Sequence, residues 1–402
     1  MTRADVAVIG GGFSGAFTAA HLAAAGVDAV VIEPGELGRG VAYARHATDL
    51  LLNAPVAAMS ALPDRPAHFA DWLDQDIRFA PRAVYGDYVA HALRELARGP
   101  LTHARARAVD VEPAPRGFAI ALDDGRRVTA RAVVLALGNA PPRAFAGTVD
   151  AYADHDVAPD EPVALLGSGL TALDVLARLR RRGHRGRVSI VSRRGLTPIA
   201  HGAAGEPVRV PAELVASPSL RALLAWWRAC ARAGASVVAR IDALRPLLPA
   251  LWHRLSPGDR AGFAHHVRPR WEVVRHRAPP EVHAVLARGI ADGSVAVERG
   301  SLADARARAA TIVNCTGPER DLARVPSPLV RALLARRLVA RDPLGLGATA
   351  PAPGVHVVGP WRVADDWEAT AVPELRVQVR DAAAAVVGEL RAPRPARASL
   401  HA

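Results

Sequence analysis

Apolar residues along this chain come in short unbroken runs, each closed by a turn that carries glycine. That is the pattern of strands buried on both faces in a parallel sheet rather than of strands half open to water. Val6–Ile9, Asp28–Ile32, Val133–Leu137, Val163–Leu166 and Val188–Val191 are such runs. Longer stretches with helical spacing, Ala16–Ala25 and Leu170–Arg182, follow two of the turns. Phe118–Leu122 and Arg127–Ala130 alternate around Asp124-Gly125, which predicts a hairpin. Two further apolar strands, in ATIVNCTGPE and GVHVVGP, end at Gly317 and Gly359. Strand, turn, helix and strand recurring in this order predict an α/β protein with two Rossmann-like dinucleotide-binding domains.

The first unit is VAVIGGGFSGAFTAAHLAAAGVDAVVIEP. Gly10 and Gly12 allow a tight turn and close approach of backbone to a pyrophosphate, and Gly15 lets the helix pack against the strand. Phe13 and Ser14 open that helix, whose N-terminal end favours phosphate charge. Glu33 closes the second strand where a carboxylate can accept ribose hydroxyls.

The second unit is EPVALLGSGLTALDVLARLRRRGHRGRVSIVSRRG, with Gly167, Gly169, Leu170 and Thr171 at its turn and Ala172 in place of a third glycine. Its second strand ends in Ser192, Arg193 and Arg194 instead of an acid. Guanidinium groups there suit a 2′-phosphate that a carboxylate would repel, although two adjacent arginines also suit a solvated strand end. The first site is therefore assigned to FAD and the second to NADPH, with NADH as the alternative. The expected organisation is a split FAD-binding domain, 1–157 and 318–392, around an NAD(P)H-binding domain, 158–317, with a helical insertion at 211–292 and a disordered tail at 393–402.

Composition narrows the partners. The 402 residues carry a net charge of +12, yet no lysine occurs, and the arginines are scattered among apolar positions without a basic tail. That distribution gives no nucleic-acid face. Arginines also interrupt every apolar run before it is long enough to span a membrane, while Leu220–Leu251, with Trp226 and Trp227, suits either an amphipathic pair at a membrane surface or packing on the rest of the protein. Cys230 and Cys315 form no CxxC pair, which argues against disulfide-reductase chemistry and fits a cytoplasmic setting. No metal-ligand spacing is evident, so no metal is expected.

The combination of GRGVAY, DLLLNAPVAAMSALPDRPAHFADWL, HVRPRWEVVRHRAPPEV and DDWEATAVPELRVQV resembles the bacterial FAD/NAD(P)-binding proteins of the YdhS type, which are distantly similar to flavin-dependent monooxygenases. The resemblance runs from Val6 to about Val387 and implies a flavoprotein of glutathione-reductase-like plan. Read beside it, Arg39, Gly40, Tyr43 and Asn53 follow the first unit where the chain passes a flavin, and Gly138 and Gly359 close strands that return to it. Asn53 equally suits a loop-capping amide. Met59 suits the core. Glu368 and Glu374 suit a helix N-terminus beside the flavin or plain first-turn carboxylates. His265, His266, Arg268, Trp271, Arg275 and His276 suit a substrate lid or a solvated structural helix. Phe145, Gly147 and His155 echo the Baeyer–Villiger fingerprint only loosely, with different spacing and no tryptophan.

These features predict an FAD-dependent, NAD(P)H-using oxidoreductase, monooxygenase-like, acting on a small molecule. A flavin reductase with an acceptor other than oxygen and a non-catalytic FAD-binding redox sensor are the alternatives. The sequence names no catalytic residue, substrate or oligomeric state.

Overall fold

The computed structural model describes residues 2–45, 49–99, 101–153, 156–203, 205–349 and 351–392. The tail expected at 393–402, and His155, lie outside the described residues. Fourteen strands are present among them. β1 (Thr2–Ile9), β2 (Ala29–Ile32), β3 (Thr102–Ala104), β4 (Ala108–Ala114), β5 (Gly117–Leu122) and β6 (Arg127–Leu135) come first. They are followed by β7 (Val149–Asp150), β8 (Val163–Leu166), β9 (Val188–Ser192), β10 (Val295–Arg299) and β11 (Thr311–Asn314). β12 (Ala340–Arg341), β13 (Ala348–Thr349) and β14 (Val355–Val357) complete the set.

The first sheet has the order β3-β2-β1-β6-β5-β4, with β14 also paired to β6. β3, β2, β1, β6 and β14 run parallel, whereas β4, β5 and the start of β6 form an antiparallel ribbon. The hairpin and the apolar run expected at Val133–Leu137 thus share one strand. The first half of β6 pairs with β5, and its second half pairs with β14. Val6, Val8, Val31 and Val134 are fully buried in one cluster with Leu22, Ala383 and Val386 of the helices over one face, and the opposite face packs Ala7, Ile9 and Val133 against Phe118 and Ile120 of β5. On one face the helix Phe13–Ala24 packs on Val372–Arg391 and Arg82–Ala97.

The second sheet, β10-β9-β8-β11-β7, is parallel throughout. β7, at Val149–Asp150, already belongs to it, so the chain joins this sheet ahead of residue 158. The expected insertion divides. Its last helix, Pro280–Ala291, lies on Leu170–Arg181 as a layer of the second sheet. The preceding helices bury Leu251, Trp252 and Trp271 against Leu346, Val363 and Trp367 of the closing part of the chain. Ring centroids of Trp252 and Trp367 are 4.8 Å apart, and those of Phe263 and Trp367 are 4.9 Å apart. The tryptophan-rich helices therefore use their apolar faces for intramolecular packing. No helix among the described residues is long and apolar enough to cross a membrane.

The two sheets are joined by a buried ion pair. Arg82, at the start of the helix Arg82–Ala97, donates to Asp174 of Leu170–Arg181 at 2.6 Å and to the Leu51 carbonyl at 2.9 Å. Their side chains are 12% and 5% exposed, so removing one partner strands a charge out of water. Arg82→Ala is expected to lower stability by about 3–5 kcal/mol in denaturant unfolding, with much of the loss recovered in Arg82→Met/Asp174→Leu.

Candidate functional site: two glycine turns

The two turns repeat one geometry. Gly10 has φ +97°, and a Cβ there would stand 2.3 Å from the Ala136 carbonyl oxygen beyond β6. Gly167 has φ +108°, and its Cβ would stand 2.3 Å from the Cys315 carbonyl oxygen beyond β11. In each unit the strand must bend away over the end of its neighbour, which only glycine permits. Gly15 answers to packing: its Cβ would fall 1.8 Å from the Gly10 carbonyl oxygen. At the matching place Ala172 is accommodated and fully buried.

Gly12 and Gly169 differ from these. Gly12 has φ −66° and ψ −166°, and Gly169 has φ −78° and ψ −170°, extended backbone that any residue adopts. A Cβ on Gly12 would meet only the Gly40 Cα, at 3.6 Å, and one on Gly169 would meet nothing within 4 Å. Neither strain nor internal packing calls for glycine at either place. Glycine is an accepted helix N-cap, and with no side chain it leaves each helix end open to the approach of something outside the chain.

The adjoining helix ends point the same way. Ser219, Ser236 and Ser256 each cap a helix through the side-chain oxygen. The helices Phe13–Ala24 and Leu170–Arg181 start on Gly12 and Gly169 with no side-chain cap and no acid in the first turn. Their leading N–H groups and positive helix ends are left for an anion. Ser14, Leu170 and Thr171 contribute such N–H groups, as does Phe13, whose ring stacks on Phe17 at 4.7 Å inside the core.

Glu33 closes the first unit. Its Oε2 accepts from the Gly11 N–H at 2.8 Å and its Oε1 from the Gly35 N–H at 2.9 Å. The carboxylate is thereby fixed at the end of β2, beside the glycine turn. The His103 ring bonds the Glu33 carbonyl at 2.7 Å, a support with no local sequence signal. At the second unit Ser192 and Ser168 share a hydroxyl hydrogen bond of 2.9 Å, and Ser192 Oγ accepts from the Gly195 N–H at 3.0 Å. Arg193 and Arg194 follow, exposed and without a hydrogen bond or ion pair to any described residue.

The loop after the first unit is partly structural. Gly40 lies against Gly12, its own Cβ position being 3.1 Å from the Gly12 Cα. Arg39 is placed otherwise than a free phosphate contact requires. It is 5% exposed, pairs with Asp87 and faces the Tyr43 and Ala83 carbonyls at 3.4 Å, so it shapes the loop against the helix Arg82–Ala97. Burial pushes the Tyr43 phenol up to about 12, and its ring meets Tyr85 edge-on at 4.7 Å.

Asn53 plays neither of its expected parts in full. Its carbonyl accepts from the His201 ring at 2.9 Å, while its Oδ1 is buried without a partner. The Tyr85 hydroxyl and Arg376 Nε are likewise buried without partners. Such atoms are uncommon in folded proteins and suit a polar ligand. Gly359 stands over the first turn, where a Cβ would come 3.1 Å from Ser14 Oγ, and its N–H donates to Gln378 Oε1 at 2.6 Å. Gly138 lines a small cleft with Asn139, Glu319, Arg320 and Trp361.

The expected lid residues separate into two groups. Arg275 and Glu368 form a buried ion pair, and Glu374 bonds Arg245 at 2.7 Å. Burial raises the Glu368 carboxyl and Arg275 works against that rise. Arg268, His276 and Arg320 surround Glu272; burial opposes its ionisation, but His276 and the two arginines outweigh this and hold the carboxyl well below its usual range. His265 and His266 are exposed on a short π-helical stretch, Phe263–Val267. Met59 is buried in the core.

Known proteins agree with this architecture. Residues 7–140 match the FAD-NAD(P)-binding family. Among solved structures, a flavin-containing monooxygenase from Stenotrophomonas maltophilia is similar over 96% of this chain and 99% of its own, at 19% identity and TM-score 0.55. The ornithine hydroxylase of Pseudomonas aeruginosa is similar over 97% of this chain and 100% of its own, at 13% identity and TM-score 0.60. The bacillithiol disulfide reductase of Bacillus cereus is similar over 96% and 99%, at 15% identity and TM-score 0.55. No curated protein matches significantly. At these identities the likeness shows a shared fold, which in this chain has two parallel-sheet α/β units, in agreement with the plan the resemblance implied.

Proposed function

We propose that the chain is an FAD-dependent, NADPH-using oxidoreductase, monooxygenase-like, that acts on a small molecule. The observation that carries this reading is the pair of glycines, Gly12 and Gly169, which the fold itself does not require. In this reading FAD is held by the 1–157 and 318–392 part. The Gly10–Gly15 turn, Gly40 and the helix N-terminus take the pyrophosphate, and Glu33 takes a ribose. Tyr43, Asn53, Gly138 and Gly359 line the remainder. NADPH is held by the 158–317 part, on Gly167, Gly169, Leu170 and Thr171, with Ser192, Arg193 and Arg194 at the 2′-phosphate.

Bound there, a flavin supplies hydride acceptance and electron transfer to a second substrate. The protein supplies orientation and exclusion of water. The Asn53 Oδ1 and the Tyr85 hydroxyl offer polar contacts inside a buried surround. The helix Val372–Arg391 presents its positive end in the part of the chain that follows Gly359.

A thiol relay lacks support. Cys315 is buried, with burial pushing its thiol far above the usual range, and Cys230 sits unpaired on the helix Leu220–Arg232. The two free thiols also suit a reducing, cytoplasmic compartment.

The test is anaerobic titration of the purified yellow protein with NADPH, followed by air and by peroxide and product analysis against a panel of small amines and ketones. Bleaching by NADPH and recovery in air are expected. A flavin that NADPH leaves oxidised would favour the redox-sensor alternative. Gly169→Val is expected to keep its flavin and raise the NADPH requirement for bleaching at least about tenfold, since the added side chain takes space that backbone approach to the phosphates uses.

A further inference from the structure

Outside both nucleotide sites, the helix His68–Leu73 lies against the helix Arg82–Ala97, and three metal-ligating side chains meet there. His91 and Glu95 are four residues apart on one helix face, and His68 comes from the neighbouring helix. One ligand atom from each lies within 4.8 Å of both others. Glu95 Oε2 is 3.2 Å from His68 Nε2 and 3.8 Å from His91 Nε2.

The surrounding contacts orient these atoms. The Nδ1 of His68 shares a hydrogen bond of 3.0 Å with the buried Tyr88 hydroxyl, which turns Nε2 towards Glu95. The hydroxyl is itself fixed by the Ala61 N–H, which donates to it at 3.0 Å. The other oxygen of Glu95 accepts from Arg65 at 2.6 Å, leaving Oε2 to face the two rings. Ligands whose remote atoms are held by outer partners in this way are characteristic of metal sites.

We propose that His68, His91 and Glu95 bind one divalent transition-metal ion of the zinc class, with a fourth position open to water. Two imidazole nitrogens and one carboxylate oxygen are the ligand set such ions favour. Bonds of about 2.0–2.1 Å in a tetrahedron need donor atoms about 3.3 Å apart. The side chains of His91 and Glu95, 43% and 40% exposed, are free to make that contraction, while His68, at 13%, stays in place. The ion would clamp the helix His68–Leu73 to the one that carries Tyr85, whose ring meets Tyr88 at 5.5 Å and Tyr43 at 4.7 Å. The sequence concealed this set because its members share no single motif.

The experiment is zinc titration of the chelator-treated full-length protein by calorimetry, in parallel with His91→Ala, Glu95→Gln and, as a control, His265→Ala. Wild type and the control should each bind one zinc ion per chain. Both seam variants should bind at least about a hundredfold more weakly, the upper end of what loss of an outer partner alone costs. Circular dichroism of the seam variants should match wild type. A wild type that takes up no zinc, or uptake that survives both seam substitutions, overturns the proposal.

Discussion

Gly12→Val is expected to yield a folded protein that has lost its colour. The backbone at Gly12 is extended, and the nearest atom to an added Cβ is the Gly40 Cα at 3.6 Å, so the fold has room for the first atoms of a side chain. The same volume is where the pyrophosphate must approach backbone N–H groups, and an isopropyl group there keeps it out. Flavin affinity should fall at least about a hundredfold, because close backbone approach and the helix-end charge are lost together. Gly15→Ala provides the contrast. Its Cβ would lie 1.8 Å from the Gly10 carbonyl oxygen, so the helix must move off the turn, at a cost of about 3 kcal/mol or more. That variant should lose thermal stability as well as colour. Flavin absorbance and circular dichroism, measured on both proteins, separate the outcomes. A yellow Gly12→Val protein would remove FAD from this turn.

The second large effect concerns the choice of nicotinamide cofactor. Arg193 and Arg194 directly follow β9, exposed and unpaired, at the place where the first unit carries Glu33 after β2. Charge-assisted hydrogen bonds contribute about 1.5–3 kcal/mol each. Arg193→Ala/Arg194→Ala should therefore raise the NADPH KM about a hundredfold while leaving the NADH KM within about twofold. Comparing kcat/KM for the two cofactors in both proteins checks this. Equal losses with NADPH and NADH would show that the arginines do not read the phosphate.

What the sequence made legible was local. Strand, glycine turn, helix and strand are short-range patterns, and the unbroken apolar runs Val163–Leu166 and Val188–Val191 form strands, the second extended by one residue to Ser192. The roles of Gly10 and Gly15 followed from spacing alone. What stayed hidden depends on pairing across long separations. Nothing near residue 130 signals that β6 serves β5 with one half and β14 with the other. Nothing near Asn53 announces His201, and nothing near Gly359 announces Gln378. Arg39 misled because a glycine-flanked arginine near a nucleotide turn suits a phosphate, whereas its partner Asp87 lies on a helix whose packing the loop sequence does not encode. The expected insertion at 211–292 ran one helix too far, since Pro280–Ala291 has the length and spacing of either a helical layer or a sheet cover, and only its contact with Leu170–Arg181 decides.

Native mass spectrometry of the purified full-length chain tests most directly whether two nucleotides are held by two separate turns. The wild type should carry one FAD and take up one NADP+ when it is added. Gly169→Val should keep the FAD and refuse the NADP+, while Gly12→Val should lose the FAD. A wild-type chain that binds neither nucleotide, or variants that lose both together without unfolding, would contradict that arrangement.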